Sequence, residues 1–235
     1  MKSQDSFGVI RATVEAEIAA PGVLTISSAE GGDGKTAVAT GVARSLAAAG
    51  YRTLVIDAGA PTAESFCAKL GLPPALPVSV ATSAEHLSDS VHKAFAGCDV
   101  LLLAEDSEAS PSAVAVAALF AAVRAQYDYA VVDTRAISDG GATFARCADG
   151  VVLAVREGRA AGAADGEAVA VLERIRARFL GVVATTRAAS ELQTAKMSEA
   201  ASPRRFLGGA VARLRDFFAV ATKARGQAVG STTPD

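Results

Sequence analysis

Six short aliphatic runs recur along the chain: VLTIS (23–27), RTLVID (52–57), DVLLLA (99–104), YAVVD (129–133), GVVLAV (150–155) and LGVVAT (180–185). Each is nearly continuous in β-branched or aliphatic residues, the pattern of parallel strands buried on both faces. Segments of helical period lie between them. A helix is predicted from about residue 36 and a short one at 84–95. Across 161–179, Ala168, Val171, Leu172, Ile175 and Phe179 recur at helical spacing, predicting one helix with a single apolar face. The alternation implies right-handed βαβ units and a doubly wound α/β fold. Its sheet is mostly parallel, with about seven strands and helices on both faces. In such sheets ligands sit beyond the carboxyl ends of the strands.

Three prolines in GLPPALPVSVAT (71–82) break the pattern and predict a surface connection after the second strand. No internal repeat is present. The expected organisation is one domain over 1–225, closed by a basic amphipathic helix at 203–225. The small, polar stretch 226–235 is expected to be a flexible tail.

Composition narrows the class. A chain of 235 residues that is 51% hydrophobic and 20% charged is globular and long enough for a full α/β core. A net charge of −2 argues against coating nucleic acid by bulk charge, and no nucleic-acid partner is expected. Cys67, Cys98 and Cys147 are widely spaced, without a CxxC pair, and read as free, buried thiols of a reducing cytosol. His86 and His92 stand six apart, away from helical metal-pair spacing, and are expected at the surface. The first residues lack a long apolar stretch, so no signal peptide is expected. The longest apolar run, 113–123, is too short to span a bilayer and stops at Arg124.

The chemistry concentrates where the first strand runs into SAEGGDGKT and a helix follows. Strand, glycine-rich turn, Gly-Lys-Thr and helix form the context of a phosphate-binding loop. Gly31, Gly32 and Gly34 let backbone N–H groups converge on phosphate oxygens, and the helix adds its N-terminal dipole. Lys35 is suited to neutralise β and γ oxygens, and the Thr36 hydroxyl to ligate Mg2+. Asp57 and Asp133 each end a predicted strand at the same carboxyl edge, where a carboxylate completes the metal shell.

SSAEGGDGKT, GYRTLVIDAG, YDYAVVDTRAISDGGATFARCADGVVLAVREG and LGVVATT, in that order, resemble the bacterial tyrosine kinases of capsule and exopolysaccharide synthesis. These kinases are a branch of the ParA and MinD group of P-loop ATPases. The family loop runs S-x-x-P-G-E-G-K-[ST]. Ser28 to Thr36 fits it, with Gly31 for the proline and Asp33 for the glutamate. Ala29 is therefore not a lost glycine of the longer loop. The resemblance implies ATP and Mg2+ as cofactors. It assigns Lys35, Asp57 and Asp133 to catalysis and Thr36, Asp57 and Asp133 to the metal. Gly31, Gly32, Asp33, Gly34, Lys35, Thr36 and Ala37 would contact nucleotide, with Thr185 at the family's asparagine position near the adenine. It also implies a cytoplasmic location, with a membrane-anchored polysaccharide co-polymerase or another protein as partner.

The departures point to altered catalysis. Gly59 replaces the second acid of the family's D-x-D motif, and the arginine that follows it is absent. Glu30 stands where partition ATPases keep a lysine. Asp5 and Arg11 remain of the E-x-x-R-x-x-R subunit-contact motif, but Gly8 replaces its middle arginine, so a homo-oligomeric ring motif is incomplete. The family's C-terminal tyrosine cluster is missing: Tyr51, Tyr127 and Tyr129 are the only tyrosines. Arg135, next but one after Asp133, reads either as a solvent-facing loop residue or as a source of transition-state charge. In 203–225, Leu207, Val211, Leu214, Phe217 and Phe218 share a helical face with arginines around it. That segment reads as a helix packed on its own sheet, or as one lying on the inner face of the plasma membrane or on a partner. Two functions stand: a slow ATPase or kinase-like enzyme, and a non-catalytic nucleotide-dependent switch or MinD-like positioning ATPase.

Overall fold

The computed structural model describes residues 5–59, 76–78, 84–95, 97–104, 111–158 and 162–186. Cys67, the segment 203–225 and the tail 226–235 lie outside these residues. A first helix, α1 (Asp5–Glu17), leads into β1 (Gly22–Ser28). Then follow α2 (Lys35–Ala48), β2 (Thr53–Ala58), β3 (Leu76–Pro77), α3 (Ala84–Ser90), β4 (Val91–Phe95) and β5 (Cys98–Ala104). The rest comprises α4 (Ala113–Gln126), β6 (Tyr129–Thr134), a 3-10 turn (Ile137–Asp139), α5 (Gly141–Cys147), β7 (Gly150–Arg156), α6 (Ala163–Arg174) and β8 (Phe179–Thr185). All six predicted strands are present.

The sheet has eight strands, in the order β3-β5-β2-β6-β1-β7-β8, with β4 also on β5. All pairs are parallel except β4 with β5. Since β6 separates β1 from β2, the chain leaves β1 in one direction for β2 and reaches β7 on the other side. The carboxyl end of β1 is thus a topological switch point, where a ligand crevice opens.

Alternate residues of each strand feed opposite faces, as the pleat requires. Leu24, Ile26, Val55, Val100, Leu102 and Val131 pack beneath α1 and α2, against Val14, Ile18, Val38, Val42 and Leu46. Val23, Leu54, Ile56, Leu101 and Val132 face the other side, against Leu87, Val116, Leu119, Phe120 and Phe144 of α3, α4 and α5. A third cluster joins Val151 and Leu153 of β7 to Ala168 and Leu172 of α6. Aspartates tie the amino edge together. Asp149 accepts from the Val23 amide at 2.7 Å and from Arg124 at 2.8 Å. Asp128 accepts from the Arg52 amide and guanidinium, both at 2.8 Å.

Several predicted boundaries shift, for physical reasons. The helix expected over 84–95 ends at Ser90, and Val91–Phe95 becomes a strand instead. There it pairs antiparallel with β5, Val91 opposite Leu101 and His92 opposite Val100, covering a sheet edge that would otherwise present unpaired backbone groups. His86 is exposed as expected, whereas His92 in this strand is half-buried. Within the proline-rich 71–82 segment, Leu76–Pro77 makes a two-residue edge strand beside Leu103 and Ala104. An edge is where a proline is tolerated in a sheet. The helix expected over 161–179 ends at Arg174, after which Arg176 takes a left-handed φ of 57°. Phe179 therefore opens β8, though it reaches the same cluster as Ala168, Val171, Leu172 and Ile175. Cys98 is buried as expected, and Cys147 is only half-buried. Arg11 turns inward: it pairs with Glu15 at 3.5 Å and donates to the Ser45 carbonyl at the end of α2.

Phe120 is fully buried in the second cluster, its ring centroid 6.3 Å from that of Phe144. Phe120→Ala is expected to cost about 3–5 kcal/mol of stability, read as a fall in the urea midpoint. A loss under about 1 kcal/mol would mean that this core relaxes around the cavity.

Candidate functional site

Three strands deliver chemistry to one level of the carboxyl edge. In the parallel ladders, Ile26 of β1 is opposite Asp133 of β6, and Asp133 is opposite Asp57 of β2. The two carboxylates therefore stand side by side, two residues below the point where β1 enters its loop. Both are buried, Asp57 4% and Asp133 3% exposed.

The loop turns sharply after Ser28 because Gly32 and Gly34 take left-handed φ values of 77° and 82°. Gly34 has no room for a side chain, whereas one at Gly32 would displace the end of the exposed Arg156 side chain. A Cβ on Gly32 would lie 2.7 Å from Nη2 of Arg156, and one on Gly34 2.9 Å from Oγ1 of Thr185. Gly34 caps the new helix, and α2 begins at Lys35. The first-turn amides of α2 and its dipole thus meet whatever lies in the loop.

Lys35 Nζ donates to Ser28 Oγ at 3.0 Å, and Ser28 Oγ donates to the Glu30 carbonyl at 2.5 Å. Burial lowers the Lys35 pKa below its usual value, while Asp133, Asp33 and Asp139 pull it back up. This ammonium is thus held in a poorly solvated place by surrounding carboxylates, ready to exchange them for a polyanion. Beside it, Thr36 Oγ1 donates to Asp133 Oδ2 at 2.5 Å. Asp57 Oδ1 accepts the Gly59 amide at 3.1 Å, so the residue that replaces the family's second acid orients the first one.

The donor set fits Mg2+. A hydroxyl and carboxylates are hard oxygen ligands, and Mg2+ takes one or two carboxylates with phosphate oxygens and water for the rest. No group of three or more His, Cys, Asp or Glu side chains able to hold a metal occurs among the described residues. A cation here would need phosphate to complete its shell.

Of the predicted site residues, Lys35, Thr36, Asp57 and Asp133 converge at this edge, with Gly31, Gly32, Asp33 and Gly34 forming the loop and Ala37 in the first turn of α2. Asp33 is buried. Thr185, 7% exposed, donates to the Asp33 carbonyl at 2.7 Å, so its hydroxyl is directed into the loop backbone. Arg135 contributes its carbonyl, which accepts from Ser27 Oγ at 2.8 Å. Sequence reasoning missed Arg156, whose guanidinium donates to the Gly32 carbonyl. Its only trace is a basic residue at the end of an apolar run, LAVREG. It also missed Asp139, whose influence on Lys35 depends on the path of the 3-10 turn.

Residues 24–226 match the family model of the CobQ/CobB/MinD/ParA nucleotide binding domain. The chain belongs to this family. Among solved structures it is similar to the chimerical protein CapA2B2, at 24% identity and TM-score 0.65, covering 78% of this chain and 84% of that one. It is also similar to the kinase domain of Escherichia coli tyrosine kinase ETK, at 19% identity and TM-score 0.63, covering 88% and 80%. A third is cobyrinic acid a,c-diamide synthase from Mycobacterium smegmatis with bound ATP analog and magnesium, at 17% identity and TM-score 0.55, covering 74% and 77%. At these identities the likeness is one of fold. No curated protein matches the chain. No described helix of this nucleotide-binding domain is long and apolar enough to cross a membrane.

The Lys35 shift yields a stability prediction. Its pKa is lowered in the folded state, so keeping it charged costs stability at neutral pH, and that cost disappears as pH rises from the folded pKa towards the unfolded value near 10.5. Lys35→Met is expected to unfold at a higher urea concentration than wild type at pH 7. The gap should narrow as the pH approaches 10.5. A variant less stable at pH 7 would show that the carboxylates, not burial, dominate around Lys35.

Proposed function

We propose that the protein is a Mg·ATP-binding P-loop ATPase, related in mechanism to the tyrosine kinases of exopolysaccharide synthesis, with slowed chemistry and an external phosphoryl acceptor. The observation that carries this reading is the Thr36–Asp133 contact beside Lys35 and Asp57, at the mouth of a loop turned by the left-handed Gly32 and Gly34.

In this reading the N–H groups of residues 31–36 grip the β- and γ-phosphates, and Lys35 leaves Ser28 to neutralise them. Thr36 and Asp133 are the residues that would hold the cation. The chemistry supplied by bound Mg2+ would be charge neutralisation and alignment of the phosphate oxygens. Asp57, set by the Gly59 amide, accepts the proton of the attacking hydroxyl or water. That oxygen bonds to the γ-phosphorus as the bond to the bridging oxygen breaks and ADP leaves. Catalysis is then positioning and electrostatics.

An external acceptor follows from where the tyrosines lie. Tyr127 donates to Asp99 at 2.9 Å and Tyr129 to the Ile18 carbonyl at 3.0 Å, and the Tyr51 and Tyr129 rings stack edge to face at 5.0 Å. All three flank the amino ends of β2 and β6. The site is at the carboxyl ends, roughly 13–20 Å away at strand spacing. The acceptor would be a separate protein, such as a membrane-anchored polysaccharide co-polymerase, met at the cytoplasmic face. The segment 203–225 is the candidate for that contact.

The second reading, a nucleotide-dependent switch that turns nothing over, is favoured by Gly59 alone. Phosphate release from Mg·ATP separates the two. Slow release by wild type, abolished in Asp57→Asn and raised about tenfold or more in Gly59→Asp, is the expected result for the enzyme. Nucleotide binding with no release in any of these variants would establish the switch. Lys35→Ala is expected to abolish Mg·ATP binding, and unchanged affinity would overturn the site itself.

A further inference from the structure

The phosphate loop is held from behind by two residues of neighbouring strands that no reading of the loop motif includes. Arg156 ends β7 and Thr185 ends β8, and the two are register partners in that parallel pair. Because β7 also pairs with β1, with Ala154 opposite Ser28, these strand ends lie directly alongside the loop that leaves β1. Arg156 donates to the carbonyl of Gly32. Thr185 Oγ1 donates to the carbonyl of Asp33, the next residue, at 2.7 Å. The same two side chains occupy the space beside both left-handed glycines. A Cβ on Gly34 would fall 2.9–3.1 Å from the Oγ1, Cβ and Cγ2 of Thr185.

Peptide geometry gives these contacts a consequence. In a trans peptide the carbonyl of one residue and the N–H of the next point in opposite directions. Among the described residues the one cis bond is Ala20–Pro21, so the loop peptides are trans. Drawing the Gly32 carbonyl to Arg156 turns the Asp33 N–H the other way. Drawing the Asp33 carbonyl to Thr185 does the same for the Gly34 N–H. We propose that Thr185 and Arg156 are positioning residues that pre-orient consecutive loop N–H groups toward a bound polyphosphate. Thr185 is the stronger member, because it is buried and its hydrogen bond does not compete with water, whereas Arg156 is exposed. This assigns Thr185 to the phosphates, not to the base that the family resemblance places near it. The inference rests on the nucleotide reading of the loop.

The test uses Thr185→Val, which removes the hydroxyl at nearly constant shape, and Thr185→Ser, which keeps it. Backbone amide order parameters of residues 31–34 in the nucleotide-free protein come first. They are expected to be near 0.85 in wild type and Thr185→Ser, and to drop toward about 0.6 in Thr185→Val, with the strands unchanged. Affinities for Mg·ATP, Mg·GTP and magnesium tripolyphosphate come second. Thr185→Val is expected to weaken all three by about the same factor, on the order of tenfold, and Arg156→Ala by less. Rescue by Thr185→Ser completes the expected pattern. Unchanged order parameters in Thr185→Val would overturn the brace. So would a loss confined to ATP with tripolyphosphate unaffected, which would return Thr185 to the base. If wild type binds none of the three ligands, the nucleotide reading fails, and the order parameters decide the brace on their own.

Discussion

The hydrogen bond from Thr36 to Asp133 is the contact around which the molecule is organised. It joins the first turn of α2 to the end of β6, across 97 residues of chain. It exists because β6 lies between β1 and β2, so the loop after β1 must pass over the end of β6 on its way to α2. Pairing on both sides of β6 then sets the heights: Ile26, Asp133 and Asp57 fall in line. Apolar layers on both faces fix these heights, since a register slip of one residue would turn every core side chain outward.

Within that frame, buried charge is arranged as a deliberate imbalance. Lys35 is poorly solvated, and nearby carboxylates only partly restore its affinity for a proton. Two buried aspartates sit at the neighbouring strand ends. Such a set is costly when empty and is relieved by a polyanion with its cation, the pairing that a nucleotide and Mg2+ offer. None of the departures from the kinase pattern falls on Lys35, Thr36, Asp57 or Asp133 themselves. Gly59 lies two residues beyond Asp57, and the tyrosines are at the opposite edge. The residues suited to phosphate and a cation are therefore all present, while Gly59 changes the surroundings of Asp57.

Much of this was legible in the sequence because it is local or periodic. β1, its loop and α2 are contiguous, and the apolar runs are long enough to stand out. Asp57 and Asp133 could be paired on paper because both end strands. The misreadings arose where a non-local partner decided the outcome. Residues 91–95 read as helix until the open edge of β5 is available to pair with them. Phe179 fits the apolar stripe of α6, yet it reaches the same cluster from a strand. Arg156 and Thr185 are distant in sequence from the loop they hold, and nothing in their local pattern marks them. Thr185 was visible only by analogy with a base-contacting asparagine, an analogy that carries position but not direction.

The account stands on a site that takes nucleotide and metal together, and calorimetric titration of the full chain with ATP tests that most directly. With Mg2+ present, one equivalent of ATP should bind. With Mg2+ chelated, binding should weaken by an order of magnitude or more, because Thr36 and Asp133 would then face the phosphates without the cation between them. Absence of binding with Mg2+, or equal affinity with and without it, would contradict the account.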